Sequence, residues 1–294
     1  MFESNALANK RILVTGGGTG LGKAIAEGFL RLGATVYICG RRGSVLKETV
    51  KELGVGTGGD IHYRLVDIRS SDGIEKMVEG IWSEAPLTGL INNAAANFIC
   101  PTKDLTPRGY EAIRSTVMDG SFYTTLALGR RWIESGLKGS VVSNLVTWVV
   151  TGSAYVVPSA MAKGAVDTMT KSLAVEWARY GIRVNAVAPG SFPTEGAEEK
   201  LNPMGAFTDS YINSVPMERA GRLDELVNLM AFLQSDGCDY LTGQTIALDG
   251  AHHLAAPSTF SFLKDMSEQQ WQTARESIKE SIDKEKGQRS ISCS

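Results

Sequence analysis

The sequence predicts an α/β fold built on a doubly wound parallel sheet in a single domain, and three observations predict it. Short apolar runs suited to buried strands alternate with segments of helical apolar spacing along most of the chain. The first of these runs, Ile12-Leu13-Val14, leads directly into Thr15-Gly16-Gly17-Gly18-Thr19-Gly20-Leu21-Gly22. The length, 294 residues, suits one large domain of this kind. A strand, a glycine turn and a helix in that order build a dinucleotide-phosphate site, because glycines let backbone approach the pyrophosphate and a helix start offers free N–H groups. The Thr-Gly-x-x-x-Gly-x-Gly spacing in the first βα unit is more specific than a lone GxGxxG, and it makes the fold Rossmann-type.

Each element follows in order. Lys23 to Arg31 carries Ala24, Ile25, Phe29 and Leu30 at helical spacing. Residues 34–38 form a second strand ending at Cys39-Gly40-Arg41-Arg42. This strand end meets the adenosine ribose, where a carboxylate suits a free 2′-hydroxyl and arginines suit a 2′-phosphate. Arg41 and Arg42 therefore favour NADPH over NADH, a solvated loop pair being the alternative. A helix over 45–53, a loop from Gly54 to Gly59 and a strand from His62 to Val66 come next. Asp67 ends that strand, placed either to accept from the adenine amino group or to cap the following helix, whose start is marked by Ser70-Ser71-Asp72 and Glu75. Leu87 to Ile91 is a short strand running into Asn92-Asn93-Ala94-Ala95-Ala96-Asn97-Phe98, where small residues let backbone lie close to a ligand.

A long helix over 109–134 and a central strand from Ser140 to Val146 follow. Pro158-Ser159 opens a helix with Ala162, Val166, Met169, Leu173 and Trp177 on one face. Ile182 to Val187 leads into Pro189-Gly190-Ser191-Phe192, and the polar stretch 195–216 reads as a mobile loop near the substrate. Leu223 to Leu233 is helical and Gln244 to Leu248 is the last strand. Residues 1–256 form the dinucleotide-binding domain and 257–294 a helical extension. There Ser267, Glu268 and Gln270 start a helix whose narrow stripe (Trp271, Ala274, Ile278, Ile282) docks on the body or a neighbouring subunit, and Lys284 to Ser294 frays.

Composition excludes several classes. With 30 Lys+Arg against 32 Asp+Glu there is no electrostatic case for nucleic acid. Cys39, Cys100, Cys238 and Cys293 have no CxxC pair and no metal-ligand spacing, so a reduced, intracellular protein without a metal is expected. No apolar run approaches a membrane span, and the first ten residues show no secretory signal. Ser-Cys-Ser at the end is not a peroxisomal signal; the mitochondrial matrix or the cytoplasm is expected, and the sequence does not choose between them.

Thr15 to Gly22, Asn92-Asn93-Ala94, Lys163 and Pro189-Gly190 resemble the landmarks of the short-chain dehydrogenase/reductase family, over about residues 10–250. Most members carry Tyr-x-x-x-Lys with a serine thirteen residues before the tyrosine. Here Ser159 stands at the tyrosine position and Val146 at the serine position. A tyrosine of pKa about 10, lowered by a nearby lysine, can protonate an alkoxide, whereas a serine hydroxyl is far too weak an acid. Ordinary carbonyl reduction is therefore not expected. Tyr155, one helical turn earlier, is the remaining alternative acid, but it precedes Pro158.

A narrower group, the NADPH-dependent 2,4-dienoyl-CoA reductases of mitochondrial type, is similar at Asn92 to Ile99, Thr151-Gly152-Ser153, Val156 to Ala160, Ala162-Lys163, Gly196-Ala197, Leu201-Asn202-Pro203 and Glu268 to Trp271. The resemblance implies a serine at position 159, Lys163 on the cofactor ribose, Asn97 as a donor to the substrate, and a homotetramer through the long helices. A turn or cap role is the alternative for Asn97. The resemblance also implies a catalytic tyrosine fifteen residues before the lysine, and that position holds Trp148. An indole N–H donates a hydrogen bond but does not readily release its proton, so Trp148 is either a substitute donor or a bulky wall residue. By the same resemblance, Arg41 would bind the cofactor phosphate and touch the CoA end, Arg69 and Lys200 would lie near the CoA phosphates, Phe98 and Thr106 would line the acyl-CoA path, and Pro189 to Phe192 would pass along the nicotinamide. The basic residues among these could equally be solvated surface charges.

The resemblance implies reduction of a 2,4-dienoyl-CoA in auxiliary fatty-acid β-oxidation. Hydride added to the far end of a conjugated thioester leaves a delocalised dienolate, whose oxygen needs hydrogen-bond donors while its carbon takes a proton from water. The alternatives are a short-chain reductase for another activated alkene or carbonyl, and a cofactor-binding protein that has lost catalysis.

Overall fold

The computed structural model describes residues 3–194, 212–255, 266–274 and 276. Seven parallel strands form one sheet: β1 (Arg11–Thr15), β2 (Thr35–Gly40), β3 (Ile61–Leu65), β4 (Gly89–Asn92), β5 (Gly139–Asn144), β6 (Ile182–Pro189) and β7 (Thr245–Leu248), in the order β3-β2-β1-β4-β5-β6-β7. Chain order reverses between β1 and β4, where Leu13 pairs with Leu90, so the crevice beyond their carboxyl ends is the switch point of a doubly wound sheet.

Side-chain alternation explains why both faces are covered. Ile12, Val14, Val36, Ile38, Ile91, Val142 and Val187 point to one face and pack under α1 (Gly20–Arg31), α2 (Gly43–Thr57) and the helix at Leu223–Gln234. Leu13, Tyr37, Leu90, Val141, Ile182 and Val184 point to the other, under α3 (Ser71–Glu84) and the Trp132- and Trp177-bearing helices. Trp132 is fully buried and its indole donates to the Leu87 carbonyl at 2.6 Å, which anchors that face.

Three elements differ from the sequence reading. The helix expected over 45–53 runs on through Gly54 to Thr57 and stops at Gly58, which takes a left-handed φ of 67°. A helical glycine costs only about 1 kcal/mol, so the first glycine does not end a packed helix. The helix expected over 109–134 is α4 (Pro107–Arg114), a π-helical turn at Ser115–Asp119 and α5 (Gly120–Ser135). Ser115 and Thr116 hydroxyls donate back to the Glu111 and Ala112 carbonyls at 2.6 and 2.9 Å, and the Arg114–Asp119 ion pair at 2.7 Å spans the turn. Gly120 sits where a Cβ would come within 2.6 Å of Ile68, so the widened turn lies hard against the end of the β3–α3 connection. The central strand ends at Asn144, and the chain then turns into the short helix α6 (Trp148–Thr151) before α7 (Val157–Trp177). The helix at Leu223–Gln234 is α8.

Of the loop expected over 195–216, residues 195–211 lie outside the described residues, and 212–214 are helical. The chain forms two compact units, Met1–His253 and Leu254–Ser294. In the second, the Ser267 N–H donates to Gln270 Oε1 at 2.7 Å and the Gln270 N–H donates to Ser267 Oγ at 3.2 Å, a reciprocal helix start. Ile278, Ile282 and Lys284 to Ser294 lie outside the described residues. Among the described residues no helix is long and apolar enough to cross a membrane, and no His, Cys, Asp or Glu cluster could hold a metal ion.

Candidate active site

A cleft of about 680 Å³ opens along the carboxyl ends of the strands. Its middle is the glycine turn. Gly16 takes a φ of 66°, and a Cβ there would stand 2.9 Å from Ala94 Cα, so only glycine lets this turn meet the end of β4. Gly20 has a φ of 54°, while a Cβ on Gly17 would strike Ile38 at 2.4 Å. Thr19 is the N-cap of α1, and its side chain makes no cap hydrogen bond to the N–H groups of that first turn. The cradle fits a dinucleotide diphosphate: close backbone, an open helix start and no acidic residue in its first turn. Gly16, Gly18, Thr19 and Leu21 line the cleft; Gly17 and Gly20 are not on its wall.

Arg41, Arg42 and Asp67 line one end. Arg41 is exposed and makes no ion pair among the described residues, and Arg42 donates to Thr19 Oγ1 at 3.3 Å. The cap of α3 is Ser70, whose Oγ accepts from the Gly73 N–H at 3.1 Å, so Asp67 is not the cap. Asp67 instead closes a turn with Arg69, whose backbone N–H and guanidinium both donate to its carboxylate, the latter at 2.5–3.0 Å. The Arg69 hydrogen bond holds the Asp67 carboxyl below the usual carboxylate range, and the Arg41 charge adds to this.

The other end is built from β4, β5, α6, α7 and β6. Lys163 is nine-tenths buried and donates to the Asn144 carbonyl. Burial pushes its pKa down to about 8. Ser159, 4% exposed, lies one turn earlier on the same helix and lines the same wall. Asn97 Oδ1 accepts from the Phe98 N–H at 2.9 Å, which turns the amide so that its NH₂ is the free end. Trp148 also lines the cleft, and neither its indole N–H nor the Asn97 NH₂ has a partner among the described residues. Tyr155 is excluded as a substitute acid: it is 59% exposed, sits at a φ of 64° and is not on the cleft wall.

A family model described as enoyl-(acyl carrier protein) reductase matches residues 16–253. A Caenorhabditis elegans protein named a probable 2,4-dienoyl-CoA reductase is 38% identical over 294 residues, covering 97% of this chain and 94% of its own. The chain belongs to the short-chain dehydrogenase/reductase family. A Bacillus anthracis short chain dehydrogenase structure superposes with a TM-score of 0.75 at 40% identity, over 83% of this chain and 96% of that one. A Burkholderia cenocepacia gluconate 5-dehydrogenase structure, holding NADP and tartrate, superposes with a TM-score of 0.79 at 28% identity, over 85% and 97%.

As a short-chain dehydrogenase/reductase the protein is an oxidoreductase of a family that uses a nicotinamide cofactor. Pro189 and Gly190 line it; Ser191 does not, and Phe192 is buried in the core against Gly221. Arg69, Phe98 and Thr106 are not on the cleft wall. Arg69 is closed on Asp67, Phe98 lies against Gly109, and the Thr106 hydroxyl caps α4 by accepting from the Gly109 N–H at 3.1 Å. Lys200 lies outside the described residues. Three contributors escaped the sequence reading. Thr15 Oγ1 accepts from the Asn93 and Ala94 N–H groups at 3.0 Å each, Thr116 on the π turn lines the cleft, and Asn144 joins Lys163 to Asn93. An amide at the end of an apolar strand run was the available signal for the last.

Proposed function

We propose that the protein is an NADPH-dependent 2,4-dienoyl-CoA reductase of auxiliary fatty-acid β-oxidation. One observation carries the reading. Asn97, Trp148 and Ser159 bring hydrogen-bond donors to the lysine end of the cleft, while no tyrosine or histidine lines it among the described residues. Such a wall steadies a developing enolate oxygen but offers an alkoxide no tyrosine proton, and the Lys163 ammonium is already engaged in donating to the Asn144 carbonyl. A reduced nicotinamide, when bound, would supply the hydride, and buried Lys163 would hold its ribose. Asn97 NH₂ and the Trp148 indole N–H would donate to the thioester oxygen as charge reaches it, with a water delivering the proton to carbon. The 38% identity to the nematode protein supports the substrate class. The test is oxidation of NADPH and NADH against dienoyl-CoA, enoyl-CoA and ketoacyl-CoA: turnover confined to the dienoyl substrate is expected. Brisk ketone reduction would sink the proposal, and tight NADPH binding without any turnover would favour the non-catalytic reading.

Arg41 is proposed to hold the 2′-phosphate. Arg41→Ala is expected to weaken NADPH binding about tenfold or more and leave NADH binding nearly unchanged, as read by fluorescence titration. Trp148 is proposed as the substitute donor. Trp148→Phe is expected to lower kcat about tenfold or more, with Trp148→Tyr restoring it; unchanged turnover in the Phe variant would make Trp148 a wall residue. A homotetramer remains part of the proposal, supported by exposed Phe122, Met161 and Val175 on α5 and α7.

A further inference from the structure

Asn144 ends β5 in the wall of the cleft and is 6% exposed. Its amide orientation is forced by a chain of partners. The Asn93 side chain faces two carbonyls, those of Thr15 and Gly16 at 3.0 and 3.3 Å, so its NH₂ must point to them. Asn93 Oδ1 must then accept, and the group donating to it at 3.0 Å must be the Asn144 NH₂. That leaves Asn144 Oδ1 on the remaining side, buried, with no hydrogen-bond partner among the described residues. The Asn144 backbone carbonyl is already taken by Lys163. A buried acceptor without a donor is costly and is normally satisfied by a ligand or a water.

Position decides which ligand. Arg41 and Arg42 end β2, on one side of the β1/β4 switch point; Asn144 ends β5, on the other, with Ser159, Lys163, Pro189 and Gly190. A dinucleotide lying across that point puts its adenosine half at the arginines and its nicotinamide half at Asn144. Beside an ammonium that can only donate, the group that suits Oδ1 is a hydroxyl that donates to it. We infer that Asn144 Oδ1 is a binding acceptor for a ribose hydroxyl in the nicotinamide half of the cofactor, so that one side chain orients the glycine turn through Asn93 and reads the far half of the ligand. The inference rests on the dinucleotide reading of the cleft.

Two probes separate the halves: NADPH, and adenosine 2′,5′-bisphosphate, which lacks the nicotinamide ribose. Asn144→Leu is expected to weaken NADPH about five- to tenfold while leaving adenosine 2′,5′-bisphosphate within about twofold, as measured by calorimetric titration. Asn144→Ala, which makes no demand on space, is expected to give the same ratio. Asn93→Ala keeps the Asn144 oxygen but frees the glycine turn, and is expected to weaken both probes alike. Equal weakening of both probes by the Asn144 variants would mean that Asn144 acts only through Asn93, and overturns the inference. Unchanged binding of both would mean that water satisfies Oδ1, and overturns it as well. Failure of the unaltered protein to bind either probe would remove the dinucleotide reading and the inference together.

Discussion

Asn97→Ala is expected to lower kcat on a 2,4-dienoyl-CoA by about 10²–10³-fold, the usual loss when one donor to a developing oxyanion is removed. The geometry makes the expectation sharp. The Phe98 N–H fixes Asn97 Oδ1, so the NH₂ is presented without any rotation that the reaction must first supply. Cofactor binding should be unaffected, because the glycine turn and Lys163 do not depend on Asn97. Asn97→Asp should lose at least as much, since a carboxylate accepts where the substrate oxygen needs a donor. Steady-state kinetics beside NADPH titration checks this. A kcat within about threefold of the unaltered enzyme would leave the dienolate without its proposed donor and make Asn97 a turn residue only.

Lys163→Met is expected to separate stability from function. Burial lowers the Lys163 pKa from 10.5 to about 8. Between those two values the unfolded chain carries the proton and the folded chain does not, so this group makes stability rise with pH across that window. Below about 8 both states are protonated and the full cost of burying the charge is present. Methionine removes that cost, so the ligand-free variant should be more stable than the unaltered protein at pH 7, by on the order of 1–3 kcal/mol. The gap should close as pH is raised from 8 to 10.5. Denaturant unfolding at a series of pH values reads it, and equal stability at pH 7 would mean that the ammonium is not buried at a cost. NADPH should reverse the order, because ligand stabilises only the protein that binds it well. Affinity for NADPH should fall about tenfold or more and turnover with it.

Much of this was legible in the residues alone. The short continuous apolar runs marked the central strands, because a sheet covered on both faces buries both sets of their side chains. Thr15 to Gly22 marked the glycine turn that lines the middle of the cleft, and the lysine frame ending at Lys163 exposed the missing tyrosine. Less legible were hydrogen bonds between distant or competing partners. Thr106 reads as a pocket residue until its hydroxyl is found capping α4, and Arg69 reads as a free charge until it closes on Asp67. The π turn depended on Ser115 and Thr116 choosing backbone carbonyls, a choice local propensity leaves open.

By itself the sequence determined the sheet, its glycine turn and the absence of a tyrosine at position 159, since these follow from apolar patterning, glycine sterics and residue identity. Only tertiary structure decided how the amides point. Asn93 and Asn144 are 51 residues apart, and the direction of each is set by carbonyls that only the folded sheet brings beside it. An amide carries a donor and an acceptor on one planar group, so its chemistry stays ambiguous until neighbours claim one end.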